Sequence, residues 1–125
     1  MAIVLDSTIW IAYVTDEASA SACARRVESA EPETYFTPSI VAYEVYRKML
    51  KERGVKAARE VVGHIKARTT MIALTSDGAL NAAETSVKEG LSMADAIIYS
   101  AARSLNATLV TGDGHFKGKK GVEYL

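Results

Sequence analysis

Apolar positions follow two periods along the chain. Short unbroken runs bounded by polar residues, beginning with Ile3, Val4 and Leu5, read as strands buried on both faces. Elsewhere apolar residues recur every three or four positions, as at Ala94, Ile97, Ile98, Ala101, Ala102 and Leu105, which make the stripe of a helix packed on one side. The pattern predicts a strand in AIVLD, a short helix in STIWIAYV with Ser7 or Thr8 as its cap, and a helix from about Glu17 to Ala30 on Ala18, Ala22, Cys23 and Val27. A strand follows from Tyr35 to Thr37. Pro38 suits the first turn of a helix that runs to Arg53 and is closed by Gly54, and another helix runs from Val55 to about Lys66. Met71 to Leu74 reads as a strand, Ser76 and Asp77 as caps of a helix ending near Gly90, and Ser92 as the cap of the striped helix. Strands from Ala107 to Val110 and from Val122 to Leu125 complete the chain.

Strands alternating with helices imply right-handed crossovers and a parallel sheet covered on both faces, so the expected architecture is a three-layer α/β/α domain. In such sheets ligands gather at the carboxyl ends of the strands, where the strand order reverses. With 125 residues and no Pro-, Gly- or Ser-rich linker, a single domain over 1–125 is expected. Hydrophobic content of 49% and charged content of 24% exclude a disordered chain. The single cysteine, Cys23, lies among alanines and reads as a small core residue, which suits a reducing compartment. No basic-then-apolar leader precedes the first strand, and no apolar run approaches the roughly 18 residues of a membrane span, so a soluble cytoplasmic protein is expected.

Net charge is zero but unevenly spread. From Arg47 to Arg68 there are eight Lys or Arg against two Glu, and Lys117, Lys119 and Lys120 form a second group. Such segments are commonly solvated helix faces; two of them on a neutral chain also suit a polyanionic partner.

The acids carry the chemistry. Asp6 ends the first strand and Asp113 follows the fourth in TLVTGDGHF, so two carboxylates project from one rim if these strands are neighbours. Taken singly, a helix cap at Asp6 and a tight turn at Asp113 explain them as well as function does. Glu44, in SIVAYEVYRKM, falls between Ile40 and Val41 on the inner side of its helix, where a carboxylate is costly unless paired with Arg47 or Lys48 or bound to metal. Asp95 stands three residues after Ser92, which makes a capping box, and its head can also point along the sheet rim. Four carboxylates gathered at one rim repel one another unless a divalent cation lies among them. An oxygen donor set without His or Cys selects a hard ion, Mg²⁺ or Mn²⁺. His64 and His115 lack zinc-site spacing and read as surface residues, although His115, beside Asp113, is placed to touch substrate.

Taken in order, IVLDSTIWI, SIVAYE, SMADAIIYSAA and TGDGHF resemble the PIN-domain nucleases, especially the VapC-like toxin ribonucleases of type II toxin–antitoxin pairs. The resemblance covers essentially the whole chain. It implies strand order 3-2-1-4-5, with Asp6, Glu44, Asp95 and Asp113 as catalytic and metal-binding residues and Ser7, Thr8 and Thr111 as hydroxyls that orient a ligand or water. It also implies Mg²⁺- or Mn²⁺-dependent hydrolysis of RNA to 5′-phosphate and 3′-hydroxyl ends, an antitoxin protein as partner, and a homodimer. The flanking glycines loosen Asp113 in this reading. Two nearer alternatives are an RNA-processing PIN nuclease without an antitoxin and a PIN fold kept as an inactive binding module. A phosphoacceptor signalling domain fits poorly, because Asp77 is the only candidate acceptor and Thr111 stands where a lysine is wanted.

Overall fold

The computed structural model describes residues 1–15 and 20–125. Five parallel strands, β1 (Ala2–Leu5), β2 (Tyr35–Pro38), β3 (Thr70–Ile72), β4 (Ala107–Thr111) and β5 (Val122–Tyr124), form one sheet in the order β3-β2-β1-β4-β5. Six helices connect them: α1 (Ser7–Thr15), α2 (Ala20–Glu28), α3 (Ser39–Arg53), α4 (Val55–Arg68), α5 (Ser76–Glu89) and α6 (Met93–Ser104). The order reverses between β1 and β4. With right-handed crossovers, the helices between β1 and β3 then cover one face and α5 and α6 the other.

Burial agrees with that layering. Successive residues of a strand point to opposite faces, and both Val4 and Leu5 of β1, like Leu109 and Val110 of β4, are fully buried. Around them pack Ile9, Trp10, Val41, Val45, Ile65, Ile98 and Phe116, and Cys23 lies in the same core, as its alanine-rich surroundings suggest. The edge strands β3 and β5 are short, β3 largely exposed and β5 largely half-buried.

Several element boundaries differ from the sequence reading, each for a local reason. Asp6 caps α1, in place of Ser7 or Thr8: its Oδ1 accepts the Thr8 N–H at 3.0 Å while its carbonyl accepts from Ile9. Pro38 closes β2 and caps α3 from outside, with an extended ψ of 140°, because its fixed φ serves a strand end as well as a helix start. Thr75, in place of Ser76 or Asp77, caps α5 by accepting the Gly78 N–H at 3.0 Å, and β3 runs over Thr70–Ile72 in place of Met71 to Leu74. The helix expected from Glu17 begins, within the described residues, at Ala20; Glu17 and Ala18 lie outside them. Gly54 and Gly90, at φ 90° and 69°, close α3 and α5 in the left-handed half of the map that glycine tolerates. No helix among the described residues is long and apolar enough to cross a membrane.

Candidate active site

The register of the central strands assembles the site. Leu5 pairs with Val110, so the next residues, Asp6 and Thr111, stand level with each other at the carboxyl rim where strand order reverses. The Asp6 N–H donates to the Val110 carbonyl at 3.1 Å, which holds the chain in ladder geometry up to the carboxylate. Asp6 is 2% exposed and Thr111 fully buried.

Three donors meet the Asp6 carboxylate. Oδ1 accepts the Thr8 N–H at 3.0 Å and the Thr8 hydroxyl at 2.5 Å; Oδ2 accepts the Thr111 hydroxyl at 2.5 Å. Each hydroxyl in turn accepts a peptide N–H from the loop after β4: Thr8 Oγ1 from Gly112 at 2.8 Å and Thr111 Oγ1 from Asp113 at 2.9 Å. The threonines therefore tie the β4 loop to Asp6. Burial pushes the Asp6 carboxyl up to about 6 from its ordinary 3.8, against the lowering effect of the threonine hydroxyls and the backbone donors.

Asp113 is fixed more firmly than its flanking glycines suggest. Besides the bond from its own N–H to Thr111, its Oδ1 accepts the His115 N–H at 2.9 Å and caps the single 3₁₀ turn Gly114–Phe116. Buried Phe116 anchors that turn in the core.

Glu44 projects from the second turn of α3 between Val41 and Val45, both fully buried. The Ser7 hydroxyl donates to its carboxylate, while Oε1 is buried without a hydrogen-bond partner. Its pKa is raised, first by burial and then by the negative charges of Asp95, Asp6 and Asp113, with the Ser7 bond opposing. Glu44 thus lies within electrostatic reach of the other three acids. The alternative pairing with Lys48 is taken elsewhere, since Lys48 meets Glu52 at 3.0 Å.

Asp95 sits in the first turn of α6. Ser92 caps that helix, accepting the Asp95 N–H at a long 3.5 Å, and the Asp95 carboxylate turns to the His115 ring, its Oδ2 lying 3.1 Å from Nδ1. The same Nδ1 lies 3.3 Å from Asp113 Oδ1. Sequence reading put His115 on the surface beside Asp113 and left histidine out of the donor set; its ring is indeed 76% exposed, yet it joins two of the four acids. Asp95 lies 20 residues upstream, so chain spacing hid this contact. The legible signal was Asp113-Gly114-His115, a separation that a tight turn closes.

The donor set suits a divalent cation. A buried carboxylate oxygen without a partner is costly in an apolar setting, and three further acids surround it. Asp95, Asp113 and His115 offer ligand atoms that all lie within 4.8 Å of one another.

The basic residues divide by use. An open groove beside Glu44 is lined by Ser7, Ile11, Tyr43, Arg47, Lys48 and Lys51. By contrast, Arg68 donates to the Val27 and Glu28 carbonyls, Lys119 binds the Glu89 side chain and carbonyl at 3.1 Å, and Lys117 lies over the Tyr124 ring. Much of the expected second basic group is therefore committed within the fold. A more enclosed apolar groove, between Leu74 on one side and Ile97, Ala101 and Leu105 of the α6 region on the other, holds none of the four acids.

Comparison with known proteins agrees with this fold. The structure is similar to VapC20 of Mycobacterium tuberculosis, a sarcin-ricin-loop-cleaving toxin, with a TM-score of 0.80 and 21% identity over 95% of each chain. It is similar to a chain of a toxin–antitoxin complex from Klebsiella pneumoniae, with a TM-score of 0.79 and 20% identity over 98% of this chain and 96% of that one. VapBC2 of Rickettsia felis, bound to a DNA fragment from its promoter, matches with a TM-score of 0.73 and 20% identity over 99% and 98%. No curated protein matched the chain by sequence. The sequence model of the PIN domain matches residues 3–121, and the chain belongs to the PIN domain family.

Proposed function

We propose that this protein is a divalent-metal-dependent endoribonuclease and the toxin of a toxin–antitoxin pair. The observation that carries the reading is the gathering of Asp6, Glu44, Asp95 and Asp113 at the sheet's reversal point around a buried, unpartnered carboxylate oxygen. Asp6, Glu44, Asp95 and Asp113 would hold Mg²⁺ or Mn²⁺. When bound, such an ion acidifies a water and neutralises charge on the phosphodiester.

The chain's own residues do the rest. Thr8 and Thr111 hold Asp6 in a single orientation, and through the same hydroxyls they fix the loop that carries Asp113. Glu44 is the carboxylate that would align an attacking water, and the Ser7 hydroxyl helps to orient it. The water oxygen adds to phosphorus as the bond to the 3′-oxygen breaks, leaving a 3′-hydroxyl and a 5′-phosphate. Arg47 and Lys51, in the groove beside Glu44, would contact the RNA backbone, a sequence-independent attraction that weakens with salt.

The similar structures named as toxin–antitoxin complexes support an antitoxin as protein partner. Exposed Tyr43 and Leu50 on α3 offer apolar surface for it or for a second copy, whereas Met49 of the same helix is buried. A homodimer is part of the same reading; sedimentation showing only monomer at micromolar concentration would remove it.

Cleavage of RNA by purified wild type, Asp6→Asn and Asp113→Asn, with and without Mn²⁺, tests the function. Loss of about a thousandfold in each variant is expected, the scale of removing a charge-stabilising group. Metal-dependent cleavage surviving in both variants would overturn the assignment.

A further inference from the structure

His115 is exposed over most of its ring, so packing does not explain its position above two carboxylates. Its backbone N–H already caps the 3₁₀ turn through Asp113 Oδ1, and the ring folds back to place Nδ1 3.1 Å from Asp95 Oδ2 and 3.3 Å from Asp113 Oδ1. Two ligand atoms bound at right angles to an ion, each roughly 2.1 Å from it, are about 3 Å apart. Nδ1 thus has toward each oxygen nearly the spacing of neighbours in one coordination shell, the ligand atoms of all three residues lie within 4.8 Å of one another, and a neutral imidazole has a lone pair to offer there.

Resting on the metal-dependent reading above, we propose that His115 is itself a ligand of the cation, binding through Nδ1 beside Asp95 and Asp113, and that its nitrogen makes the site favour Mn²⁺ over Mg²⁺. Carboxylate and water oxygens suit Mg²⁺, which gains little from imidazole, whereas nitrogen donors suit the transition ions. The competing role is a simple ion pair, in which the ring offsets the acids' charge and leaves when a cation arrives. The two roles part on whether nitrogen touches the bound ion.

Pulsed electron paramagnetic resonance of the Mn²⁺-loaded full chain reads that contact directly, alongside titration calorimetry of Mn²⁺ and Mg²⁺ into wild type and His115→Ala. The expected result is nitrogen hyperfine coupling in wild type that disappears in His115→Ala. Mn²⁺ affinity should fall about tenfold or more, and Mg²⁺ affinity by less than about threefold. Bound Mn²⁺ without nitrogen coupling, coupling that persists in His115→Ala, or equal losses for both ions would overturn the proposal and leave the nuclease reading standing. Failure of wild type to bind either ion would overturn both.

Discussion

Three of the four acids show two different ways of being held. Asp6 is set into the sheet, 2% exposed, with Thr8 and Thr111 donating to both of its oxygens. Asp95 and Asp113 stand on a helix's first turn and a 3₁₀ cap, and the group that joins them is a ring 76% exposed. The inner half is fixed by the strand ladder before any ligand arrives; the outer half is fixed by local turns and is open to solvent. The difference separates two tasks, since an anchor needs a single orientation and an exchange position needs access. It also separates costs, because an ionised group pays for burial and not for exposure.

The largest effect should therefore be the ionisation penalty at Asp6. Its folded-state pKa is raised, to about 6 from 3.8. The unfolded chain thus ionises first, and the folded state loses stability as pH climbs between those values. In the absence of metal, denaturant unfolding should show a stability decrease of about 3 kcal/mol from this group between about pH 4 and about pH 8. In Asp6→Asn that decrease should be absent, so the inactive variant should be the more stable protein at high pH and not at low pH. A gain of equal size at both ends would mean that shape, not charge, strains the site. Excess Mn²⁺ should restore much of the lost stability in wild type, because a ligand that binds only the folded state stabilises it.

Thr111→Val tests the inner half's hydrogen bonding with almost no change in volume. It leaves Asp6 Oδ2 without a partner in a buried setting and the Asp113 N–H without one in a part-buried setting. A loss of about 2 kcal/mol is expected in unfolding experiments, together with weaker Mn²⁺ binding, because the β4 loop loses one of its two ties to Asp6. Unchanged Mn²⁺ affinity would show that the 3₁₀ cap and the remaining Thr8–Gly112 bond position Asp113 without Thr111.

The sequence made the inner half readable and the outer half only partly so. Asp6 and Asp113 were placed by the ends of apolar runs, and Glu44 by helical period, because burial leaves a periodic trace. Caps were less legible: Asp6 and Thr75 each cap a helix for which a neighbouring residue was the expected cap, since Asp, Ser and Thr compete for that role within one turn. The contact of His115 with Asp95 has no periodic trace at all. It exists because β4 and α6 end at the same rim, and only the folded chain brings positions 95 and 115 together.

Asp95→Asn should be nearly neutral for folding, within about 1 kcal/mol. The loss of a favourable charge at the α6 N-terminus is offset by relief of repulsion at Glu44. The same substitution should strongly impair metal-dependent cleavage. A stability change comparable to that of Asp6→Asn would erase the distinction between the two halves.

The smallest effect sharpens the comparison furthest. Ser92 caps α6 through a bond to the Asp95 N–H that is 3.5 Å long, against the 3.0 Å bonds at Asp6 and Thr75. A bond at that length contributes little, so Ser92→Ala should cost about 0.5 kcal/mol, the low end for a lost cap. The α6 N-terminus is thus weakly fastened, and Asp95 can adjust to a ligand while Asp6 cannot. Thermal melts of Ser92→Ala with and without Mn²⁺ check this: if the outer half takes its final geometry from the bound ion, the small deficit should shrink when Mn²⁺ is present. A deficit that grows on adding the ion would mean that the serine cap, and not the ligand, sets the position of Asp95.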